Sequence, residues 1–307
     1  MKQDKKYTLI VPTYNRPELL DEFLKSLEVQ KFNPDDFEIL IIDNNSENNV
    51  KKQLDGFVNK NPVFSQVIKY VHEPKQGVGY CWNTGILQAQ GQLLIFTDDD
   101  AALHYDYFKT ISEDFKLPIE NIAGGGHVSP VFEHQKPAWI YKYIMPVFAE
   151  INLGKKSKFP KNKHPFGSNM IISKDVFEKV GKFDHNIIKD LKVIPPGILE
   201  KEFFSRVKKS GIPVYYFHDL VVWHFIPQEK MSKDYVKDQI VESMRIKKDI
   251  SREKGFFSYL LLLGKEIFKW FAAFFLWFYY ILSSQWEKAS MLLRIRRWKT
   301  KELLGFT

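Results

Sequence analysis

An α/β fold built on a mostly parallel, Rossmann-like sheet flanked by helices is predicted by three features of the chain. Four short apolar runs alternate with segments of helical spacing, each run ends in polar residues, and the apolar and basic excess is displaced to the last eighty residues. The runs are YTLIVPT (7–13), FEILIID (37–43), QVIKYVHE (66–73) and QLLIFTD (92–98). Each is rich in Ile, Val, Leu and aromatics and ends at a turn signal, so each reads as a buried strand.

Between the first two runs, PELLDEFLKSLEVQ sets Leu20, Phe23, Leu24 and Leu27 on one stripe, with Pro17 suited to a first helical turn. The β-α-β-α-β-α-β order places ligands at the carboxyl ends of the strands. Thr13, Tyr14 and Asn15 stand after the first run, Asp43, Asn44 and Asn45 after the second, and Asp98, Asp99 and Asp100 after the fourth. Further on, GGGHVSP (124–130) reads as a glycine-softened strand and KPAWI (136–140) as a loop with an exposed aromatic. KKSKFPKNKHPFGSNM (155–170), with five lysines and no periodicity, reads as a mobile loop.

Composition and charge bound the class. Hydrophobic residues make up 44 % and charged residues 27 %, which is the balance of a folded protein. The single cysteine, Cys81, allows neither an internal disulfide nor a cysteine metal cluster. The start has too short an apolar run for a signal peptide, so the catalytic part is expected to stay where it is made. Residues 228–307 hold 16 Lys/Arg against 9 Asp/Glu, a net +7 of the total +8. The expected division is therefore a catalytic domain over 1–227, with a donor half to about 104 and an acceptor and base half over 105–227, followed by a helical tail over 228–307.

Three familiar sites fail on inspection. QGVGYCW puts Trp82 where a dinucleotide fingerprint needs its third glycine, no P-loop lysine follows the glycines, and Ala102 stands where an aspartyl-phosphate phosphatase needs threonine. What remains is a carboxylate cluster. In an extended segment Asp98 and Asp100 face one side and Asp99 the other, and two converging carboxylates call for a divalent cation such as Mg²⁺ or Mn²⁺. A solvated acidic turn is the alternative.

VPTYNRPELL, IIDNNS and GVGYCWNTGILQAQGQLLIFTDDD, in that order from about Thr8 to Asp100, resemble the nucleotide-sugar-binding half of the family 2 glycosyltransferases, which have the GT-A fold. A weaker likeness continues to about residue 226. The resemblance implies inverting transfer of a sugar from a nucleoside diphosphate donor, most often a uridine one, to a hydroxyl of a lipid-linked or cell-surface glycan. By the same carry-over Pro12, Thr13 and Asn15 line the nucleoside pocket and Asp43 accepts a hydrogen bond from the base. Asp98 and Asp99 bind the donor, Asp100 holds the metal, and Asn83 either joins the donor site or packs the helix that begins near Gly79.

LEKEFFSRVKKSGIPVYYF (199–217) resembles the family's acidic motif and following helix, with Glu200 at the catalytic base position, Leu199 in place of the preceding acid and Glu202 in reserve. In DLVVWHFIP, His224 takes the place of the family's last metal ligand. Trp139 is read as acceptor-side, since flat aromatic faces suit sugar rings, with Asn169 beside it. The irregular Leu-Glu-Lys-Glu run leaves a catalytically silent nucleotide-sugar-binding partner as the second reading.

WFAAFFLWFYYIL (270–282) is 13 apolar residues, short of the roughly 18 that argue for a span. It reads as a helix lying in the membrane interface, with a single crossing or a hairpin as the alternative. Trp270, Trp277, Tyr279, Tyr280 and Trp286 are its expected interfacial aromatics, and Arg294, Arg296, Arg297, Lys299 and Lys301 its basic patch. The expected place is the cytoplasmic face of a membrane, peripheral or monotopic. Nucleic acid is not an expected partner, because the cations accompany apolar surface rather than a recognition motif.

Overall fold

The computed structural model describes residues 5–188 and 194–306. In chain order the elements begin β1 (Tyr7–Thr13), α1 (Pro17–Glu28), β2 (Phe37–Asp43), α2 (Val50–Lys60), β3 (Ile68–His72), α3 (Val78–Gln88) and β4 (Leu93–Phe96). They continue with β5 (Ala101–Leu103), α4 (Tyr107–Asp114), β6 (Ala123–Phe132), β7 (Met170–Ser173), α5 (Lys174–Val180), α6 (Ile198–Lys209) and β8 (Tyr215–Ile226). The last three are α7 (Lys233–Glu253), α8 (Phe256–Leu282) and α9 (Trp286–Leu304).

The strands form one sheet in the order β3-β2-β1-β4-β7-β6-β8-β5. β1 pairs in parallel with β2 and β4, and β2 with β3, as the alternating helices require. From β4 onward the partners β7 and β6 run antiparallel, as do β5 and β8. Every residue of β1, β2 and β4 is buried, in keeping with a strand covered on both faces. β3 differs from the buried strand expected: it is the sheet edge, and Lys69 and His72 are exposed. Helix α1 starts on Pro17 with Glu18 in its first turn and buries Leu20, Phe23, Leu24 and Leu27, the stripe that its spacing marks. The glycine run at the start of β6 serves close approach, because a Cβ on Gly126 would lie 2.1 Å from the Leu220 carbonyl oxygen.

The described chain forms two compact units, one of Met1–Val131, Ala149–Asp190 and Gly197–Phe225, the other of Phe132–Phe148, Leu191–Pro196 and Ile226–Thr307. The second has its own core. Trp139, Ile144 and Phe148 from the 132–148 segment are buried with Val236 and Ile240 of α7, Ala273 and Tyr280 of α8, and Met291, Leu292 and Ile295 of α9. Trp139 is thus 7 % exposed, not the exposed loop aromatic that the sequence suggests, and Lys233 lies over its ring at 5.9 Å.

The lysine-rich segment 155–170 is tied down rather than hanging free. Phe159 is buried and its N–H donates to the Val214 carbonyl at 2.9 Å, Tyr216 N–H donates to Ser157 O at 3.0 Å, and Lys208 Nζ donates to Lys163 O at 2.6 Å.

Candidate active site

β4 stops at Phe96, and its last three residues of polar continuation fold into a turn closed by the Ala101 N–H on the Asp98 carbonyl at 3.1 Å. β5 then runs antiparallel to β8 with Ala101 opposite His224, and the Phe225 N–H donates to the Asp100 carbonyl at 2.7 Å. That register delivers the imidazole: His224 Nε2 lies 3.1 Å from Asp100 Oδ1, and one ligand atom each from Asp98, Asp100 and His224 falls within 4.8 Å of the others. Asp98 and Asp100 converge as expected, but the turn brings them together, not the pleat of a strand. Asp99 faces the end of β1, where its Oδ2 accepts from Thr13 Oγ1 at 2.8 Å. Arg16 Nη1 bridges the cluster at 3.5 Å from both Asp99 Oδ1 and Asp100 Oδ2.

Among the described residues, three carboxylates here face the Arg16 guanidinium and the His224 imidazole. Burial and then the charge of Asp100 push Asp99 up to about 6, against the opposing pull of Arg16 and the Thr13 hydroxyl. Asp98 is also raised, first by burial and then by Asp100, while His224 opposes the shift. Two hard carboxylate oxygens and an imidazole nitrogen fit Mn²⁺ or Mg²⁺, whose charge would relieve that repulsion.

Glu200 sits in the first turn of α6, which follows Gly197 at φ 77°. Its carboxylate is buried and its Oε1 accepts the Gly167 N–H at 2.8 Å. Burial lifts it to about 7, although the Gly167 bond favours the charged form. Gly167 is needed here for space: a Cβ on it would lie 2.4 Å from Trp82 Cζ2 and 3.4 Å from Glu200 Oε1. Glu202 is occupied elsewhere, donated to by Arg206 Nε and Nη2 at 2.8 Å each. Leu199, at the place of the family's first acid, is 2 % exposed and belongs to the core.

At the carboxyl ends of β1 and β2, Thr13 stands in register with Asp43, and the Asn44 N–H donates to Thr13 O at 2.9 Å. Pro12, beside Thr13 in β1, is buried. Asp43 accepts from the Ser46 N–H at 2.9 Å and the Tyr70 hydroxyl at 2.8 Å, which fixes its orientation while each oxygen retains a lone pair. Asn15, at φ 51°, accepts from the Glu47 N–H at 2.7 Å and so shapes the loop.

Two asparagines do other work than expected. Asn83 bonds both ways with the Phe183 backbone, donating at 2.8 Å and accepting at 3.1 Å, and Asn169 donates to the His127 and Leu220 carbonyls while accepting from the Tyr107 hydroxyl. Both amides are consumed as clamps between segments, and Trp139 lies in the core of the second unit. Arg16, Gly167 and Trp82 went unassigned in the sequence. Arg16 had one local signal, its place two residues after Tyr14 in VPTYNR at a strand end.

Residues 8–181 match the family model described as Glycosyl transferase family 2. A glucosyl-dolichyl phosphate glucuronosyltransferase of Haloferax volcanii is 24 % identical over 183 residues, covering 59 % of this chain and 56 % of that protein. A Methanococcus voltae dolichyl N-acetyl-alpha-D-glucosaminyl phosphate 3-beta-D-2,3-diacetamido-2,3-dideoxy-beta-D-glucuronosyltransferase is 25 % identical over 265 residues, 83 % of this chain and 76 % of that one. Among solved structures, a mannosyltransferase of Pyrobaculum calidifontis in complex with GDP-Man and Mn²⁺ superposes with TM-score 0.53 at 19 % identity, covering 79 % of this chain and 62 % of that one. Staphylococcus aureus TarS 1-349 in complex with UDP-GlcNAc gives 0.52 at 19 % identity, with 78 % and 65 % covered. The sheet and its helices are therefore of the GT-A type, and with more than half of its length matched the chain belongs to glycosyltransferase family 2.

Proposed function

We propose that this protein is a metal-dependent inverting glycosyltransferase that moves a sugar from a nucleoside diphosphate, of the uridine class, to a hydroxyl of a lipid-linked or cell-surface glycan. The observation that carries the reading is the pairing of two kinds of group in one unit: the Asp98, Asp100 and His224 cluster, and a buried carboxylate, Glu200, whose charge Asp98 senses. In the reaction Glu200 takes the proton of the acceptor hydroxyl as its oxygen bonds to the anomeric carbon. The bond from that carbon to the diphosphate oxygen breaks, its electron pair leaves with the diphosphate, and the sugar inverts.

Asp98, Asp100 and His224 would hold a divalent cation, Mn²⁺ or Mg²⁺, which supplies charge neutralisation to the departing diphosphate. Arg16 keeps Asp99 and Asp100 in place, and Thr13 orients Asp99. Asp43, Pro12, Thr13 and Asn15 form the nucleoside end. The dolichyl names of the Haloferax and Methanococcus relatives support a lipid-linked acceptor. A site on the cytoplasmic face of a membrane, held there by residues 228–307, completes the reading.

Purified protein is screened against nucleotide sugars by thermal shift with and without Mn²⁺, since binding to the folded state raises stability as ln(1 + [L]/Kd). Transfer is then followed by nucleoside diphosphate release. A donor-dependent shift with turnover that Asp100→Ala and Glu200→Gln both abolish is expected. Donor binding with no turnover under any acceptor would favour the silent partner, and no shift from any donor would end the reading.

A further inference from the structure

The sequence selects Trp270, Trp277 and Tyr280 as interfacial aromatics, yet Trp270 and Trp277 are half-buried and Tyr280 is buried, all turned into the second unit. Trp270 Nε1 donates to Thr300 Oγ1 at 2.8 Å. Of the expected basic patch, Arg296 donates to Glu266 Oε2 at 3.1 Å and is half-buried, as is Lys299, while Arg294, Arg297 and Lys301 are exposed.

α8 presents a different surface. Phe257, Leu261, Phe268, Phe271, Phe275 and Leu282 are 81, 64, 73, 65, 71 and 71 % exposed. At about 100° per residue these six positions fall within an arc of about 80°, one stripe about 38 Å long. Six large apolar side chains held in water along one helix face form a patch well beyond what a soluble surface normally carries. Lys265 and Lys269, both exposed, border the stripe, Lys269 paired with Glu266 at 2.5 Å, and a groove of about 810 Å³ opens over Gly264 between Leu261 and Phe268. No helix among the described residues is long and apolar enough to cross a membrane.

We propose that α8 is an in-plane anchor whose Phe257–Leu282 stripe enters the headgroup boundary of an anionic bilayer, with Lys265 on the lipid phosphates. It deepens the membrane part of the reading above and rests on it, but is independent of the transfer chemistry. Charge selects the occupant. A second copy stacked antiparallel, stripe to stripe, would bring the two Lys265 cations onto the same edge of the seam, whereas anionic headgroups neutralise them.

The test is vesicle flotation of the full chain, using phosphatidylcholine vesicles with and without 30 mol % phosphatidylglycerol, an amount of about one third chosen to give an anionic surface. Flotation with the anionic vesicles is expected, about fivefold weaker for Lys265→Glu and more than about tenfold weaker for Phe271→Ser with Phe275→Ser. Trp286→Ser, off the stripe, should float like wild type. Unchanged thermal unfolding and donor-induced shifts show that the variants are folded. Undiminished flotation of the double serine variant would overturn the stripe while leaving membrane association intact. Failure of wild type to float would overturn both, and donor binding would still stand for the transfer reading. A lipid-free dimer in sedimentation velocity that the double variant dissociates, without flotation, would give the face to a second copy and overturn the proposal.

Discussion

Glu200, the proposed base, links a testable activity to a testable stability. Its folded form binds a proton more tightly than the unfolded chain, because burial lifts it from 4.5 to about 7. Stability therefore falls as pH rises from 4.5 through about 7, and the full penalty is present at pH 8. Glu200→Gln is expected to raise Tm by a few degrees at pH 8 and to leave it unchanged at pH 4, while kcat drops about 10³-fold. As a base it must be ionised, so wild-type kcat should rise with pH through about 7. A pH profile with no ascending limb in that range would remove it from the role. Gly167→Ala should lower kcat by at least about tenfold by pushing Trp82 or Glu200 aside, and Trp82→Phe in that background should recover part of it. Full additivity of the two changes would show that the contact is idle. That Asp98 and Asp100 meet His224 was legible because the acidic run follows a strand and the histidine ends an apolar one, and Glu200 was marked as a candidate by its place at the start of a helix. Gly167 and Trp82 were not, since their importance is a distance between segments 85 residues apart in sequence. Asn83 and Asn169 were ambiguous for a chemical reason: an amide serves a ligand and a stray backbone group equally well, and here both bond to backbone.

At the scale of elements, the long strand β8 is the part that brings His224 to Asp98 and Asp100. Its pairing with β5 is antiparallel, so a slip of one residue would carry the imidazole to the other face. Trp223, next in the strand, is 39 % exposed. His224→Ala is expected to weaken Mn²⁺ binding, measured calorimetrically, by at least about tenfold. Moving the histidine by combining it with Trp223→His should not restore binding, and recovery would show that the register does not govern the cluster. β1, β2 and β4 were legible as unbroken apolar runs. β5 and β7, at three and four residues, are too short to carry a period of their own and exist because β8, β4 and β6 complete their hydrogen bonds. α8 was half legible: the 13-residue run is its second half, and the helix reaches back to Phe256 across Lys265, Glu266 and Lys269. Which aromatics face inward depended on the packing of α7 and α9, which no single helix pattern contains.

For the whole molecule, composition divides the chain near residue 228, while packing also assigns Phe132–Phe148 to the second unit. Long-range contact within a core is invisible to a running tally of charge. Ending the chain after residue 227 should therefore not yield a clean catalytic fragment, because Trp139, Ile144 and Phe148 would lose the helices that cover them. Aggregation on expression, relieved when 228–307 are co-produced as a separate chain, is the expected result, and a monodisperse 1–227 fragment would contradict it. The interleaving also has a consequence for inheritance. A core built from two distant stretches of chain cannot be exchanged between relatives by one recombination event, since a single junction would deliver the helices without the 132–148 segment that completes it. Changes to that core are thus confined to substitutions within it, or to paired events that move both pieces together.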